Sequence, residues 1–189
     1  MQGESPALIA LGSNLPLGKV DPAGILRRAL ADMSALGLRP LAVSRFFRTP
    51  CFPAGAGPDY VNAAAVVDCG ALAPEAVLAA LHRIEALHGR ERLARWSGRT
   101  LDLDLLAMGG QVRPDAATQA AWRDLAVREQ ALRAPDRLIL PHPRMQDRAF
   151  VLVPLCDVAP DWRHPLVGLS VAEMAARLPP ADRAGVTPI

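Results

Sequence analysis

An α+β fold with an antiparallel sheet is predicted by three features of this 189-residue sequence. Apolar runs of strand length alternate with stretches whose apolar residues recur at helical spacing, in the order β-α-β-β-α-β. Two of the helical stretches open on proline, at Pro22 and Pro74, where the missing N–H would have no partner in a helix anyway. The segment RTLDLDLL, residues 99–106, alternates leucine and aspartate at the period of a half-buried strand.

The elements follow in chain order. ALIALG (7–12) is an apolar run closed by Gly-Ser-Asn and reads as a buried first strand. Asp21-Pro22 supplies an N-cap and a first helical residue, Ile25, Leu26, Leu30 and Met33 share one face, and Gly37 is the stop. LAVSRFF (41–47) and YVNAAAVVDC (60–69) are two strands, joined by a Pro/Gly-rich connection too long for a tight hairpin and of the kind that tends to carry function. Pro74 opens a second helix that runs to about Gly89, with Val77, Leu78, Leu81, Ile84 and Leu87 as its apolar stripe. An arginine-rich loop then leads into the strand at 99–106. This order is the ferredoxin-like arrangement, which predicts helices on one face of the sheet. Beyond it, residues 115–133 suggest an inserted amphipathic helix, 137–143 a short strand, DRAFVLVPL the start of another helix and SVAEMAARL (170–178) a last one. Neither repeats nor a domain boundary interrupts the chain, so a single domain over 1–189 is expected, with a helical insertion at about 114–135.

Composition narrows the function. No uncharged run approaches the roughly 18 residues of a membrane helix. The N-terminus has no basic leader and only a short apolar run, which places the chain in the cytoplasm. Three widely spaced cysteines with no C-x-x-C pair suggest neither a disulfide framework nor a zinc site. A net charge of +2 is too small to argue for nucleic acid.

The acidic strand carries the chemistry. Asp102 and Asp104 point one way while Leu101, Leu103 and Leu105 point to the core. Two carboxylates about 7 Å apart repel by about 2 kcal/mol at an effective dielectric of roughly 20. A hard divalent cation would offset that repulsion, and magnesium typically takes one or two carboxylates together with substrate phosphates. Arg90, Arg92, Arg95 and Arg99 gather just ahead of the pair and would cradle phosphate. GSNLPLGKV (12–20) is not a Walker loop, because five residues separate Gly12 from Gly18 and Val20 stands where a hydroxyl would hold magnesium. His142, pinned between two prolines with Arg144 and Arg148 behind it, is a candidate phosphate donor. His82 reads as an exposed polar residue and His88 as a dipole partner in the last turn of its helix.

RWSGRTLDLDLL, LILPHPRMQDRAFVLVPL, SRFFRTP with PDYVNAA, and ALGSNL together resemble the 6-hydroxymethyl-7,8-dihydropterin pyrophosphokinases of folate biosynthesis, over about residues 7–112 and 137–165. The resemblance implies a ferredoxin-like core within a three-layer α/β/α domain, and transfer of pyrophosphate from ATP to the pterin hydroxymethyl oxygen with release of AMP. It implies two Mg2+ ions on Asp102 and Asp104, loop arginines Arg90, Arg92 and Arg99 that assemble the closed complex, and ATP-phosphate contacts from His142 and Arg148. Leu78, Leu105, Arg137 and Ile139 fall at nucleotide-binding positions. For the pterin, Asn62 matches the reader of the ring edge, Tyr60 and Phe150 the stacking pair, Thr49 and Pro50 the backbone contacts, and Trp96 the closing residue. Ser97-Gly98 departs from the family's usual Gly-Pro before the arginine, and residues 114–135 have no family counterpart. The implied partners are the two small substrates, with no nucleic acid and no membrane, and the chain is expected to be a monomer. A non-catalytic ferredoxin-like sensor is the competing class, and the Asp, Arg and His constellation disfavours it.

Overall fold

The computed structural model describes residues 6–51, 57–89, 100–126, 129 and 133–189. Strands β1 (Ala7–Ser13), β2 (Arg39–Val43), β3 (Phe47–Thr49), β4 (Tyr60–Asp68) and β5 (Asp102–Met108), with the two-residue β6 (Thr187–Pro188), form one antiparallel sheet. Its order is β5-β1-β4-β3-β6, with β2 also paired to β4. Helices α1 (Pro22–Ala35) and α2 (Pro74–Leu87) precede β2 and β5, as the ferredoxin-like order requires. α3 (Ala116–Arg123), α4 (Ala149–Val158), α5 (Val171–Arg177) and α6 (Pro180–Ala184) follow.

Helices cover both faces, not the single face that the strand and helix order alone predicts. Ile9, Leu11, Ala65, Leu103 and Leu105 pack against Ile25, Leu26 and Met33 of α1 and Val77, Leu81 and Ile84 of α2. Leu8, Ala10, Ala64 and Leu106 pack against Val151, Leu152 and Leu155 of α4 and Met174 of α5. The result is a three-layer α/β/α domain, and every residue of β1 is buried because apolar side chains leave it on both sides.

Local chemistry fixes the elements. The Asp21 carboxylate accepts the Gly24 N–H at 2.9 Å and caps α1, and Gly37 follows with φ +79°. Ser170 and Glu173 close a reciprocal capping box at the start of α5. The single strand expected at 41–47 is instead two. Ser44 exchanges bonds with Ala64 through both its backbone N–H and its hydroxyl, and Arg45 turns out to a bidentate pair with Asp157, so pairing with β4 breaks between Val43 and Phe47. The strand expected at 137–143 reduces to one bridge between Arg113 and Leu140.

α2 differs from its apolar stripe in two places. Leu87 is 73% exposed, whereas Glu85 is 2% exposed and accepts the Leu103 N–H at 2.8 Å. His88, at the C-cap of α2, is 6% exposed and its Nε2 lies 2.7 Å from Asp32 of α1, tying the two helices together.

His164 is wholly buried, and its Nδ1 accepts the N–H groups of Leu166 and Val167 at 3.2 Å, which staples the turn before α5. Burial, with help from the Arg123 charge, pushes its pKa down to about 4 from the ordinary 6.5. The folded chain therefore keeps it neutral where the unfolded chain would protonate it. Its contribution to stability is complete above about pH 6.5 and drains as pH falls toward 4, by up to about 1.4 kcal/mol per pH unit. Urea midpoints of the wild type should drop between pH 7 and pH 5, and His164→Gln should drop less over the same interval. Equal losses would contradict a buried neutral imidazole at this position.

Candidate active site

β5 is an edge strand, and the site is built around that edge. Leu101, Leu103 and Leu105 are buried toward α1 and α2, while Asp102 and Asp104 are half-buried on the α4 side. Register carries this face across the sheet: Asp104 lies opposite Ala10 and Ala10 opposite Ala64, while Asp102 lies opposite Gly12 and Gly12 opposite Asn62. Strands sit about 4.8 Å apart, so two steps put Asn62 about 10 Å from Asp102 on one surface. Gly12 keeps the ground between them open, since a Cβ there would stand 3.1 Å from the Asn62 Oδ1.

The chain returns to this edge after α3. The Leu140 N–H and C=O pair with Arg113, and the His142 N–H donates to the Leu106 carbonyl at 2.7 Å on the outer side of β5. His142 Nδ1 accepts the Arg144 N–H at 3.1 Å. Burial first, then the charges of Arg148 and Arg144, push the imidazole down to about 4, with Asp104 opposing them. A neutral ring whose Nδ1 is an acceptor must carry its proton on Nε2. Arg148, at the start of α4, places Nη1 3.6 Å from Asp104 Oδ2 and its guanidinium 5.6 Å from the centre of the Phe150 ring.

A cavity of about 490 Å³ opens at this edge. The structure brings seven residues proposed from sequence to it: Leu78, Asp104, Leu105, Arg137, Ile139, His142 and Arg148. Trp122, Arg133 and Arg144 also line the wall, although the sequence motifs do not single them out. Nothing in the local pattern around 122 and 133 marks them: Trp122 reaches the cavity through the packing of α3, and Arg133 reaches it from beyond that helix.

The second set lies at the other end of the shared face. Thr49 pairs with Tyr60 across β3 and β4, and the Asn62 amide donates to the Thr49 hydroxyl. Pro50 is exposed directly after Thr49. Tyr60 is half-buried and Phe150 is 38% exposed, so neither ring is sealed in the core. Arg148 links the two sets, touching Asp104 on one side and Phe150 on the other. Arg90, Arg92, Arg95, Trp96 and Arg99 lie outside the described residues.

No group of three or more His, Cys, Asp or Glu side chains converges on a metal position among the described residues. Asp104 on the cavity wall, with Asp102 two residues before it on the same half-buried face of β5, nevertheless suits magnesium, which commonly completes its octahedron with phosphate oxygens and water. No helix among the described residues is long and apolar enough to cross a membrane.

Known proteins resemble this chain in sequence and in fold. A 2-amino-4-hydroxy-6-hydroxymethyldihydropteridine pyrophosphokinase of Pseudomonas aeruginosa is 39% identical over 173 residues, 90% of each chain. One of the same description from Synechocystis is 36% identical over 169 residues, 89% of this chain and 73% of that one. A Plasmodium falciparum HPPK-DHPS crystal structure superposes with a TM-score of 0.63 at 15% identity, covering 93% of this chain and 45% of that chain, which shows the fold. This chain therefore spans a little under half of that fusion protein. The sequence model of 7,8-dihydro-6-hydroxymethylpterin-pyrophosphokinase matches residues 8–160, and the chain belongs to that family.

Proposed function

We propose that the cavity at the β5 edge holds ATP, that Asp102 and Asp104 hold magnesium there, and that the Asn62 end of the same face holds 6-hydroxymethyl-7,8-dihydropterin. The chain is a pyrophosphokinase of folate biosynthesis by family membership. One cavity supports the finer reading: it combines Asp104, His142 and Arg148, suited to a metal-bound polyphosphate, with the apolar wall of Leu78, Leu105 and Ile139, suited to a base.

In the reaction the pterin hydroxymethyl oxygen gives up its proton to solvent and forms a bond to the β-phosphorus, and the bond from that phosphorus to the oxygen bridging the α-phosphorus breaks. AMP leaves with the bridging oxygen, and the hydroxymethyl group carries the pyrophosphate. Magnesium held by the aspartates would neutralise the triphosphate and expose the β-phosphorus to attack. His142 Nε2–H donates to phosphate; already protonated, it is not the base for the hydroxymethyl proton. Arg148 balances Asp104 and offers a planar fork to phosphate. Asn62, fixed by Thr49, presents its amide to the ring edge, and Tyr60 and Phe150 supply aromatic surface for stacking. All these groups belong to one chain, so a monomer suffices. The free thiols Cys51, Cys69 and Cys156 suit the reducing cytoplasm.

Purified full-length chain incubated with ATP, magnesium and the pterin should yield AMP and pterin pyrophosphate in equal amounts, resolved by ion-exchange chromatography. ADP in place of AMP would contradict the reaction.

A further inference from the structure

We infer that Trp122, braced by Arg133, is a base-recognition residue that segment 114–135 adds to the nucleotide cavity. The nucleotide's identity rests on the pyrophosphokinase reading; the stacking role rests on the cavity. α3 is short but well anchored. Asp115 caps it through the Thr118 N–H and hydroxyl, both at 2.8 Å, and wholly buried Gln119 donates its amide to the Pro141 carbonyl at 3.1 Å, next to His142. Trp122 follows Gln119 by three residues and so shares its face, about one helical turn, or 5 Å, further along. That placement sets the indole on the wall of the same cavity that His142 lines.

Trp122 is half-buried, belongs to neither hydrophobic core cluster, and lines the cavity. The Arg133 guanidinium lies 5.5 Å from its ring centre, a cation–π contact that holds the indole in one orientation. Leu78, Leu138 and Ile139 supply the remaining apolar wall. A large, braced aromatic on the wall of a cavity that also holds Asp104, His142 and Arg148 fits a flat heteroaromatic base attached to a polyphosphate, and a purine offers the larger stacking surface.

Calorimetric titration with magnesium and α,β-methylene-ATP, whose bridging carbon blocks transfer, tests this on the full-length chain. Trp122→Ala and Trp122→Leu should each weaken binding roughly tenfold, as loss of one base-stacking aromatic does. Trp122→Phe should stay within about threefold of wild type, and Arg133→Ala should give an intermediate loss. Magnesium tripolyphosphate, which has no base, should bind the three Trp122 variants as tightly as wild type. Trp122→Leu keeps an apolar side chain on α3 and guards against a folding defect. Unchanged analogue affinity in Trp122→Ala would overturn the inference, as would equal losses for the analogue and for tripolyphosphate, which would make Trp122 purely structural. Failure of the wild type to bind the analogue would instead overturn the nucleotide reading of the cavity.

Discussion

Asparagine at both Asp102 and Asp104 is expected to lower magnesium-dependent AMP formation by about a thousandfold while leaving the fold intact. The magnitude follows from losing several kcal/mol of metal-assisted charge stabilisation, at about 1.4 kcal/mol per tenfold in rate. Stability should move the other way or not at all. Asp102 and Asp104 share a half-buried face, and removing their mutual repulsion, about 2 kcal/mol at most, offsets the loss of the Asp104 contact with Arg148. Steady-state kinetics over a magnesium titration, together with thermal unfolding, checks both halves. Wild-type turnover in the double variant would remove the aspartates from the reaction, and a collapse in melting temperature would make their role structural.

Arg148→Ala and His142→Ala should each cost about a hundredfold in kcat/KM for ATP, in line with losing one preorganised donor to a developing phosphate charge. Arg148 carries an additional signature. Because its guanidinium contacts Asp104 and also covers Phe150, its removal should raise KM for the pterin as well, whereas His142→Ala should leave the pterin KM unchanged. Arg148→Lys should recover little, since a point charge cannot reproduce the planar fork. The double variant should fall short of the product of the two single losses, because both side chains act on one polyphosphate. Initial rates with each substrate varied in turn separate these outcomes.

Local, periodic signals were the readable part of the sequence. The alternation of leucine and aspartate from 101 to 105 needs only the pleat of a strand, and it correctly separates buried from half-buried side chains. Asp21-Pro22 defines the start of α1 because the cap bond forms within three residues. Contacts between distant residues were not readable. The break between β2 and β3 depends on Ser44 meeting Ala64 and on Arg45 meeting Asp157, 112 residues away. Glu85 looks like one more polar residue beside an apolar stripe until β5 brings the Leu103 N–H to it. His88 has no visible partner until α1 packs against α2. The short β6, which pairs with β3, carries too few residues to show any period.

For the site, the family motifs gave residue types, while the fold decided which residues meet. Leu78, from α2, and Ile139, from the segment after α3, become neighbours only because the chain crosses the open edge of β5, held there by the bond from the His142 N–H to Leu106. Trp122 joins the same wall through Gln119 and Pro141, a contact spanning 22 residues with no signature of its own. The second layer of helices follows the same logic. Alternate residues of β1 and β4 are apolar on both faces, and that leaves no face for solvent.

A crystal of the chain grown with magnesium and α,β-methylene-ATP tests the metal assignment most directly. Carboxylate oxygens of Asp102 and Asp104 should stand about 2.1 Å from metal ions that also contact phosphate oxygens of the analogue. Carboxylates turned toward the protein interior, or bonded only to arginine with the metal held elsewhere, would contradict the assignment.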